Sequence, residues 1–336
     1  MTAVYSSMSD NPSPLVMKLA DKAVEKYNLD VQELAFIQHS ENVTFKVDTS
    51  GHSYLLRVHL PLTRSMGTHN LDPVIVRSEM VWVNSLYRNK LPVPHPVKNK
   101  SGELVTRVQG MDRKLVNCTL LEWLEGVPYT REMETEDTVA QMGTLTGRMH
   151  RHASRWRSPE GFNRPLRDPE YLSSVVESLQ PAVEDGRINY QDFRALRASV
   201  DELIQSLNLI RKTRLSFGLI HGDLHRGNFL NGNGRIKLID FSLCAFGSYA
   251  YDLGTCLSNI SPALHPVFLE KYQSEFSLPK YHERLIEGFF IASHVIMFSY
   301  WMDDPRAQEA LVQRVPYIAR EYAPKFIRDE RIWFLG

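Results

Sequence analysis

The chain has few cysteines and no excess of charge of either sign. Its 336 residues include only three cysteines, and 39 basic side chains balance 39 acidic ones. Cys118, Cys244 and Cys256 have neither the spacing of a zinc site nor the even count of a disulfide framework. We therefore expect a cytoplasmic protein. The zero net charge gives no indication of a nucleic-acid or anionic-membrane partner, so a small-molecule partner is expected.

Long apolar runs and a targeting segment are also lacking. Residues 1–14 are polar and do not show the basic start and apolar core of a signal peptide. We expect them to be flexible. The longest apolar run, 289–302, contains His294 and Ser299 and is shorter than the roughly 20 residues that cross a bilayer. No membrane association is expected.

The character of the chain changes near its middle. Short β-prone runs separated by turn residues occupy the first part, and amphipathic helical patterns follow Tyr129. The β-prone runs are 34–38, 43–48, 54–60 and 115–123, and the later helical runs are 134–152, 169–178, 190–210, 281–302 and 305–326. We predict an α+β, bilobal fold with a small antiparallel-sheet lobe that includes a helix, residues 1–124, and a larger, mainly helical lobe, residues 125–336.

The most informative stretch is 219–241. Residues 231–234 read Asn-Gly-Asn-Gly between two short apolar runs, which predicts a tight hairpin. Such a hairpin would bring the loop carrying Asp223 and Asn228 beside the strand end carrying Asp240. Two acids and an amide are hard oxygen ligands of the kind that Mg²⁺ prefers. This arrangement suits phosphoryl transfer, in which the protein mostly positions reactants and neutralises charge.

The order of these residues resembles the catalytic and metal-binding motifs of the aminoglycoside phosphotransferase family. His221-Gly222-Asp223 is followed after four residues by Asn228, and the second strand ends in Asp240-Phe241. This kinase-like group also holds choline kinases and type II homoserine kinases. The resemblance implies a protein-kinase-like fold, ATP and Mg²⁺ as cofactors, Asp223 as catalytic base, and Asn228 and Asp240 as Mg²⁺ ligands.

A glycine-rich turn over the nucleotide phosphates is missing. Where protein kinases have G-x-G-x-x-G, this chain has Ser40-Glu41-Asn42. The family shows similar Glu-Asn turns, so the resemblance assigns Ser40 and Asn42 to nucleotide binding. A plain hairpin turn is the alternative.

The remaining nucleotide contacts follow from the same resemblance. Arg57 occupies the strand position of the phosphate-pairing lysine of protein kinases, and Glu79 on the following helix is its expected partner. The segment between the two predicted lobes is the expected hinge, and the backbone of Glu122, Trp123 and Leu124 would bind adenine there. The implied domains are thus a nucleotide-binding lobe before residue 125 and a catalytic and acceptor-binding lobe after it.

Supporting residues are also expected in the second lobe. Asp252, at the start of a helix, would accept backbone N–H groups of the catalytic loop. His150 is expected to be a buried structural histidine. The aromatic stripe in 289–301 next to Asp303 and Asp304 is interpreted as core, with a site for a cationic substrate as the alternative.

The predicted function is an ATP- and Mg²⁺-dependent transfer of the γ-phosphoryl group to a hydroxyl of a small molecule. Amino alcohols, hydroxy amino acids and aminoglycosides are the acceptor classes considered. Alternatives are a Ser/Thr protein kinase of the stress-response-kinase-like branch and a nucleotide-binding pseudoenzyme. A metallohydrolase with His221, Asp223 and His225 as ligands is a third, since these residues alternate in sequence.

Overall fold

The computed structural model describes residues 12–39, 41–61, 71–110, 114–278, 282–304 and 307–332. Ser40 and residues 1–11 of the predicted flexible start lie outside the described residues. The chain divides into two compact units. Unit one comprises Met1–Gly126, Ser158–Arg164 and Lys237–Ser242, and unit two comprises Val127–Arg157, Pro165–Ile236 and Leu243–Gly336.

Unit one contains a six-stranded sheet and two helices in its described part. The elements are α1 (Pro14–Val24), β1 (Val31–His39), β2 (Val43–Thr49), β3 (Ser53–Val58), α2 (Pro73–Arg88), β4 (Pro96–Val97), β5 (Thr106–Gln109) and β6 (Leu115–Glu122). The strand order is β1-β2-β3-β6-β4, and β5 also pairs with β6. All these pairings are antiparallel.

Alternating residues of β2 explain how the sheet forms its core. Val43, Phe45 and Val47 are buried on one face of the strand, as a period of two requires. The apolar side of α1, including Leu19 and Ala23, belongs to the same cluster of buried residues. The sheet thereby has one covered face, and β3 and β6 are held in register next to it.

Unit two is mainly helical and includes two three-stranded sheets. Its elements are β7 (Val127–Pro128), α3 (Glu136–Arg155), β8 (Leu166–Arg167), α4 (Pro169–Glu177), α5 (Gln180–Glu184), α6 (Tyr190–Asn208), β9 (Phe217–Ile220), β10 (Phe229–Gly232), β11 (Arg235–Leu238), β12 (Ala245–Ser248), α7 (Tyr249–Leu257), α8 (His265–Glu275), α9 (His282–Trp301), α10 (Gln308–Tyr317) and α11 (Ala323–Ile327). The sheets have the orders β11-β10-β7 and β8-β12-β9, and β11 ends in residues of unit one. The expected α+β class is confirmed.

The predicted hairpin forms between β10 and β11. Asn233 and Gly234 at its tip have positive φ angles of 54° and 75°. The Gly234 N–H donates a hydrogen bond of 3.0 Å to Asn231 Oδ1, which closes the turn. The local residue types that predicted the turn therefore also supply its bonds.

The last predicted helix, 305–326, is wrong as a single element. The described residues form α10, a π-helical turn over Ile318–Tyr322, and α11. Pro316 and Pro324 have no N–H to donate to the preceding turn, so the regular bonding pattern is interrupted near both positions. Across the described parts of the chain, no helix is long and apolar enough to cross a membrane.

The close approach of α3 to α8 at Gly143 gives a stability prediction. A Cβ atom at Gly143 would overlap the backbone carbonyl of Phe268. Gly143→Ala should lower the free energy of unfolding by about 1–3 kcal/mol, although alanine favours a helix. Gly51→Ala is the control, because a Cβ there meets nothing within 4 Å. Equal midpoints of urea unfolding for the two variants would contradict this packing.

Candidate active site

Arg57 and Glu79 form a buried ion pair in unit one. Arg57, on β3, is 4% exposed, and its Nη2 donates to Glu79 Oε1, on α2, at 2.6 Å. Its Nη1 lies 3.6 Å from Asp240 Oδ1. Burial opposes the charge of Arg57, but the carboxylates of Glu79 and Asp240 outweigh it and raise the pKa of Arg57. The guanidinium is therefore permanently charged and fixed in orientation.

Asp240 follows β11 in a left-handed conformation, with φ of 59°. Its side chain is 47% exposed, and Oδ1 accepts the Ser242 N–H at 3.3 Å. The neighbouring Phe241 packs edge-on against Trp82 with ring centres 5.5 Å apart. Arg164 Nη2 donates to the Ser242 carbonyl oxygen at 2.5 Å. The segment is thus fixed at both sides while the Asp240 carboxylate stays accessible.

The turn that replaces the glycine-rich loop holds an unsatisfied acceptor. Asn42 is 5% exposed, and its Oδ1 has no hydrogen-bond partner among the residues that the structure describes. Ser242 Oγ donates to Glu41 Oε2 at 3.1 Å, which ties the turn to the segment after Asp240. A buried acceptor without a donor fits a position that contacts a ligand.

Among the described residues, one of the three predicted hinge residues has a backbone N–H without a hydrogen-bond partner. The Glu122 N–H donates to the His95 carbonyl oxygen at 2.8 Å, and the Trp123 N–H donates to that of Ser53 at 3.0 Å. The Leu124 N–H has no hydrogen-bond partner in the described ranges. If the hinge binds adenine through a donor, Leu124 is the residue that supplies it.

Asp223 in unit two is held by the side chains around it. Asn228 Nδ2 donates to the Asp223 carbonyl oxygen at 2.8 Å and to Asp223 Oδ2 at 2.9 Å. His225 Nε2 lies 3.4 Å from the same carboxylate oxygen. Burial raises the pKa of Asp223, but His225, His221 and Asn228 more than offset this and lower it below the ordinary value. The carboxylate is thus ionised and 35% exposed, as a proton acceptor requires.

Asp252 fixes the backbone before Asp223. Its Oδ2 accepts the His221 N–H at 2.7 Å, and its Oδ1 accepts the Gly222 N–H at 2.9 Å. His150 Nε2 lies 3.0 Å from Oδ2, and His150 Nδ1 lies 2.8 Å from the hydroxyl of Tyr272. Asp252, His150 and His221 are fully buried. The contacts expected for Asp252 and the burial of His150 are confirmed.

The metallohydrolase alternative finds no support in this loop. His221 Nδ1 accepts the Asp223 N–H at 3.3 Å, and His225 Nδ1 accepts the Gly227 N–H at 3.0 Å. No group of three or more His, Cys, Asp or Glu side chains that could hold a metal occurs within the described ranges. The alternating residues therefore bind their own loop rather than converging on one ion.

The predicted Mg²⁺ ligands offer oxygen atoms of the right chemistry. Asn228 uses its amide nitrogen toward Asp223, so its Oδ1 is the atom available to a cation. Asp240 presents a half-exposed carboxylate. Carboxylate and amide oxygens fit Mg²⁺ better than they fit soft metals.

Sequence reasoning missed a buried arginine in unit two. Arg167 Nη1 donates to the hydroxyls of Tyr171 at 2.7 Å and Tyr251 at 2.8 Å. Arg167 stands before an aspartate and a proline, a pattern typical of a helix start, and Tyr251 is 84 residues away in sequence. No local signal pointed to it.

Comparison with known proteins identifies the family. Residues 33–285 match the model of the phosphotransferase enzyme family. The chain belongs to this family. The predicted family membership is confirmed. The chain is thus a member of a family of phosphotransferases, as expected. The roles of individual site residues stay predictions.

Similar proteins of the family are small-molecule kinases by name. Amicoumacin kinase of Bacillus subtilis (strain 168) is 22% identical over 239 residues, which are 71% of this chain and 66% of that protein. The chain spans about half to two thirds of the length of the curated relatives it matches.

Two solved structures show the fold. Amicoumacin kinase hAmiN in complex with AMP-PNP, Ca²⁺ and Ami is 20% identical with a TM-score of 0.74, covering 96% of this chain and 95% of that one. A microcompartment-associated aminopropanol kinase is 23% identical with a TM-score of 0.77, covering 94% and 99%. The predicted kinase-like fold is confirmed.

The Asp252 contacts give a prediction for stability. Asp252→Asn removes the buried negative charge that three donors surround, so the free energy of unfolding should fall by about 2–4 kcal/mol. Asp201→Asn, at an exposed position of α6, is the control and should change it by no more than about 0.5 kcal/mol. Urea unfolding of both variants measures the difference, and equal stability would contradict the role given to Asp252.

Proposed function

We propose that this protein transfers the γ-phosphoryl group of ATP to a hydroxyl of a small molecule in the presence of Mg²⁺. The observation that carries the proposal is the ionised Asp223 carboxylate, oriented by Asn228 and His225 in a member of a phosphotransferase family. A carboxylate held in this way can accept a proton from an attacking hydroxyl.

The reaction follows from ordinary phosphoryl-transfer chemistry. The acceptor hydroxyl donates a hydrogen bond to the Asp223 carboxylate, and its oxygen forms a bond to the γ-phosphorus. The bond between that phosphorus and the bridging oxygen of ADP breaks, so ADP leaves with the electron pair. The hydroxyl proton passes to Asp223 and then to solvent, which leaves a phosphate monoester.

The nucleotide-binding roles are assigned to residues described above. Arg57, held by Glu79, would bind phosphate oxygens, and Asn42 would contact the nucleotide from its turn. Asp240 is a proposed Mg²⁺ ligand, and so is Asn228. Mg²⁺, when bound, neutralises charge on the phosphate oxygens. The AMP-PNP in the amicoumacin kinase complex supports an adenine nucleotide as the donor.

A small acceptor is supported by the names of the similar proteins. One is called an amicoumacin kinase and another an aminopropanol kinase. For this chain we propose only the class of acceptor, which is a small molecule with a hydroxyl group.

Asp223→Asn tests the proposal with little change in shape. Because the amide cannot take the proton, acceptor-dependent kcat should fall by about 10²–10⁴-fold. The rise in melting temperature on adding ATP and Mg²⁺ should persist, since Asp223 is not assigned to nucleotide binding. ADP release with a panel of small hydroxyl compounds measures the rate, and Asp201→Asn is the control for substitution alone.

The outcomes separate the alternatives. A wild-type protein that binds ATP and releases no ADP with any acceptor is a pseudoenzyme. A protein whose melting temperature does not respond to ATP contradicts nucleotide binding. Equal turnover by the wild type and Asp223→Asn contradicts the role of Asp223 as base.

A further inference from the structure

Arg167 is a buried cation surrounded by tyrosines in unit two. It lies on β8, is 6% exposed, and donates through Nη1 to the hydroxyls of Tyr171 and Tyr251. Its guanidinium carbon lies 5.0 Å and 5.1 Å from the centres of the two rings. Nη2 donates a longer bond of 3.4 Å to the Leu243 carbonyl oxygen. The side chain is therefore fixed by aromatic and hydroxyl contacts.

No acid neutralises this charge at contact distance. Among the residues described, no carboxylate forms an ion pair with Arg167. Burial opposes the charge, but Tyr171, Tyr251, Tyr300 and Asp223 together raise the pKa of Arg167 well above its ordinary value. Arg57, the buried arginine of β3, has Glu79 at 2.6 Å instead. A buried charge without a counter-ion is costly, so Arg167 is suited to a negative group from outside the chain.

The guanidinium keeps two donors that match a carboxylate. Of its five N–H groups, those of Nη1 bind two tyrosines and one of Nη2 binds Leu243. The Nε–H and the second N–H of Nη2 have no partner in the part of the chain that the structure describes. Two N–H donors on one guanidinium can bind the two oxygens of a carboxylate.

The tyrosine hydroxyls add donors beside the guanidinium. Each hydroxyl that accepts from Arg167 keeps its own O–H proton. Tyr171 and Tyr300 are hydrogen-bonded to each other, which uses one of their two O–H donors, so the other O–H of this pair and the O–H of Tyr251 can be donated. Tyr171 and Tyr300 are partly exposed, so the cluster reaches the surface of unit two.

Arg167 also lies next to the loop of the proposed base. Gly222 lies close to this side chain: a Cβ atom on Gly222 would overlap the Leu243 carbonyl oxygen and would lie 3.4 Å from Arg167 Nε. The Asp223 carboxylate accepts from Asn228 Nδ2 at 2.9 Å and lies 3.4 Å from His225 Nε2. Arg167 therefore lies near Asp223 but is not its main partner. A group at this position can bind another part of the acceptor.

We propose that Arg167, with Tyr171, Tyr251 and Tyr300, binds a carboxylate of the acceptor. The acceptor is then a small hydroxy acid, hydroxy amino acids included, and not a simple amino alcohol. This inference rests on the proposed function, because it describes the acceptor of the same reaction. An ammonium group alone would be repelled by the guanidinium at this place.

Matched acceptors and variants test the inference. The probes are 4-hydroxybutyrate, 4-amino-1-butanol, 1,4-butanediol and 4-hydroxybutyl phosphate, and their three- and five-carbon relatives. With ATP and Mg²⁺, the hydroxy acids should give the lowest KM. Arg167→Gln should raise that KM by about 10–100-fold with little change in kcat. Arg197→Gln is the control, because Arg197 forms an exposed pair with Glu177.

A binding measurement keeps the test independent of turnover. Line broadening of 4-hydroxybutyrate in NMR spectra should occur with the wild-type protein and Arg197→Gln, and should be lost with Arg167→Gln. If Arg167→Gln does not fold, Tyr251→Phe takes its place in the test. This variant keeps the ring, removes one O–H, and should weaken the binding of 4-hydroxybutyrate.

Several results would overturn the inference. They are equal use of amines and hydroxy acids, a preference for the phosphate probes, and no carboxylate binding by the wild type. A lower kcat with unchanged KM in Arg167→Gln would show that Arg167 only orients Asp223. Turnover of amines alone contradicts this inference but not the proposed function. A wild-type protein that binds carboxylates but neither binds nor turns over ATP contradicts the proposed function, and with it the role of the bound carboxylate as part of an acceptor.

Discussion

The buried carboxylate of Asp252 is the interaction on which the candidate active site depends. A charge without access to water is stable only when donors surround it, and the His221 N–H, the Gly222 N–H and His150 supply them. The two backbone donors come from the residues directly before Asp223. The direction of the proposed base is therefore fixed by a helix start about thirty residues later in the chain.

Unit one shows the same rule applied to a cation. Arg57 is buried because Glu79 neutralises it and Asp240 lies close by, and the left-handed backbone at Asp240 places that carboxylate beside Nη1. Arg167 in unit two departs from this rule, since tyrosine hydroxyls and a carbonyl oxygen surround it without a contacting acid. The buried charges of Asp252 and Arg57, which the chain compensates, support the structure, whereas Arg167 keeps spare donors and is suited to a substrate.

Several parts of the fold and of the candidate site could be predicted from the sequence because their signals are local or belong to a motif. The Asn-Gly-Asn-Gly hairpin, the Arg57–Glu79 pair and the role of Asp252 in the loop were of this kind. The Arg167 cluster could not be predicted, because its tyrosines meet only through the packing of α4, α7 and α9. The Leu124 N–H has no partner within the described residues, whereas those of Glu122 and Trp123 donate to the carbonyl oxygens of His95 and Ser53. These pairings arise only in the folded chain, so the sequence alone does not reveal them.

Amide hydrogen exchange at His221 and Gly222, resolved by NMR, tests the central claim most directly. Both amides should exchange slowly in the wild-type protein because each donates to a fully buried carboxylate. In Asp252→Asn they should exchange at least about 100-fold faster, while the amide of Val47 in β2 keeps its rate. Exchange in the wild-type protein as fast as that of exposed loop amides would contradict the account.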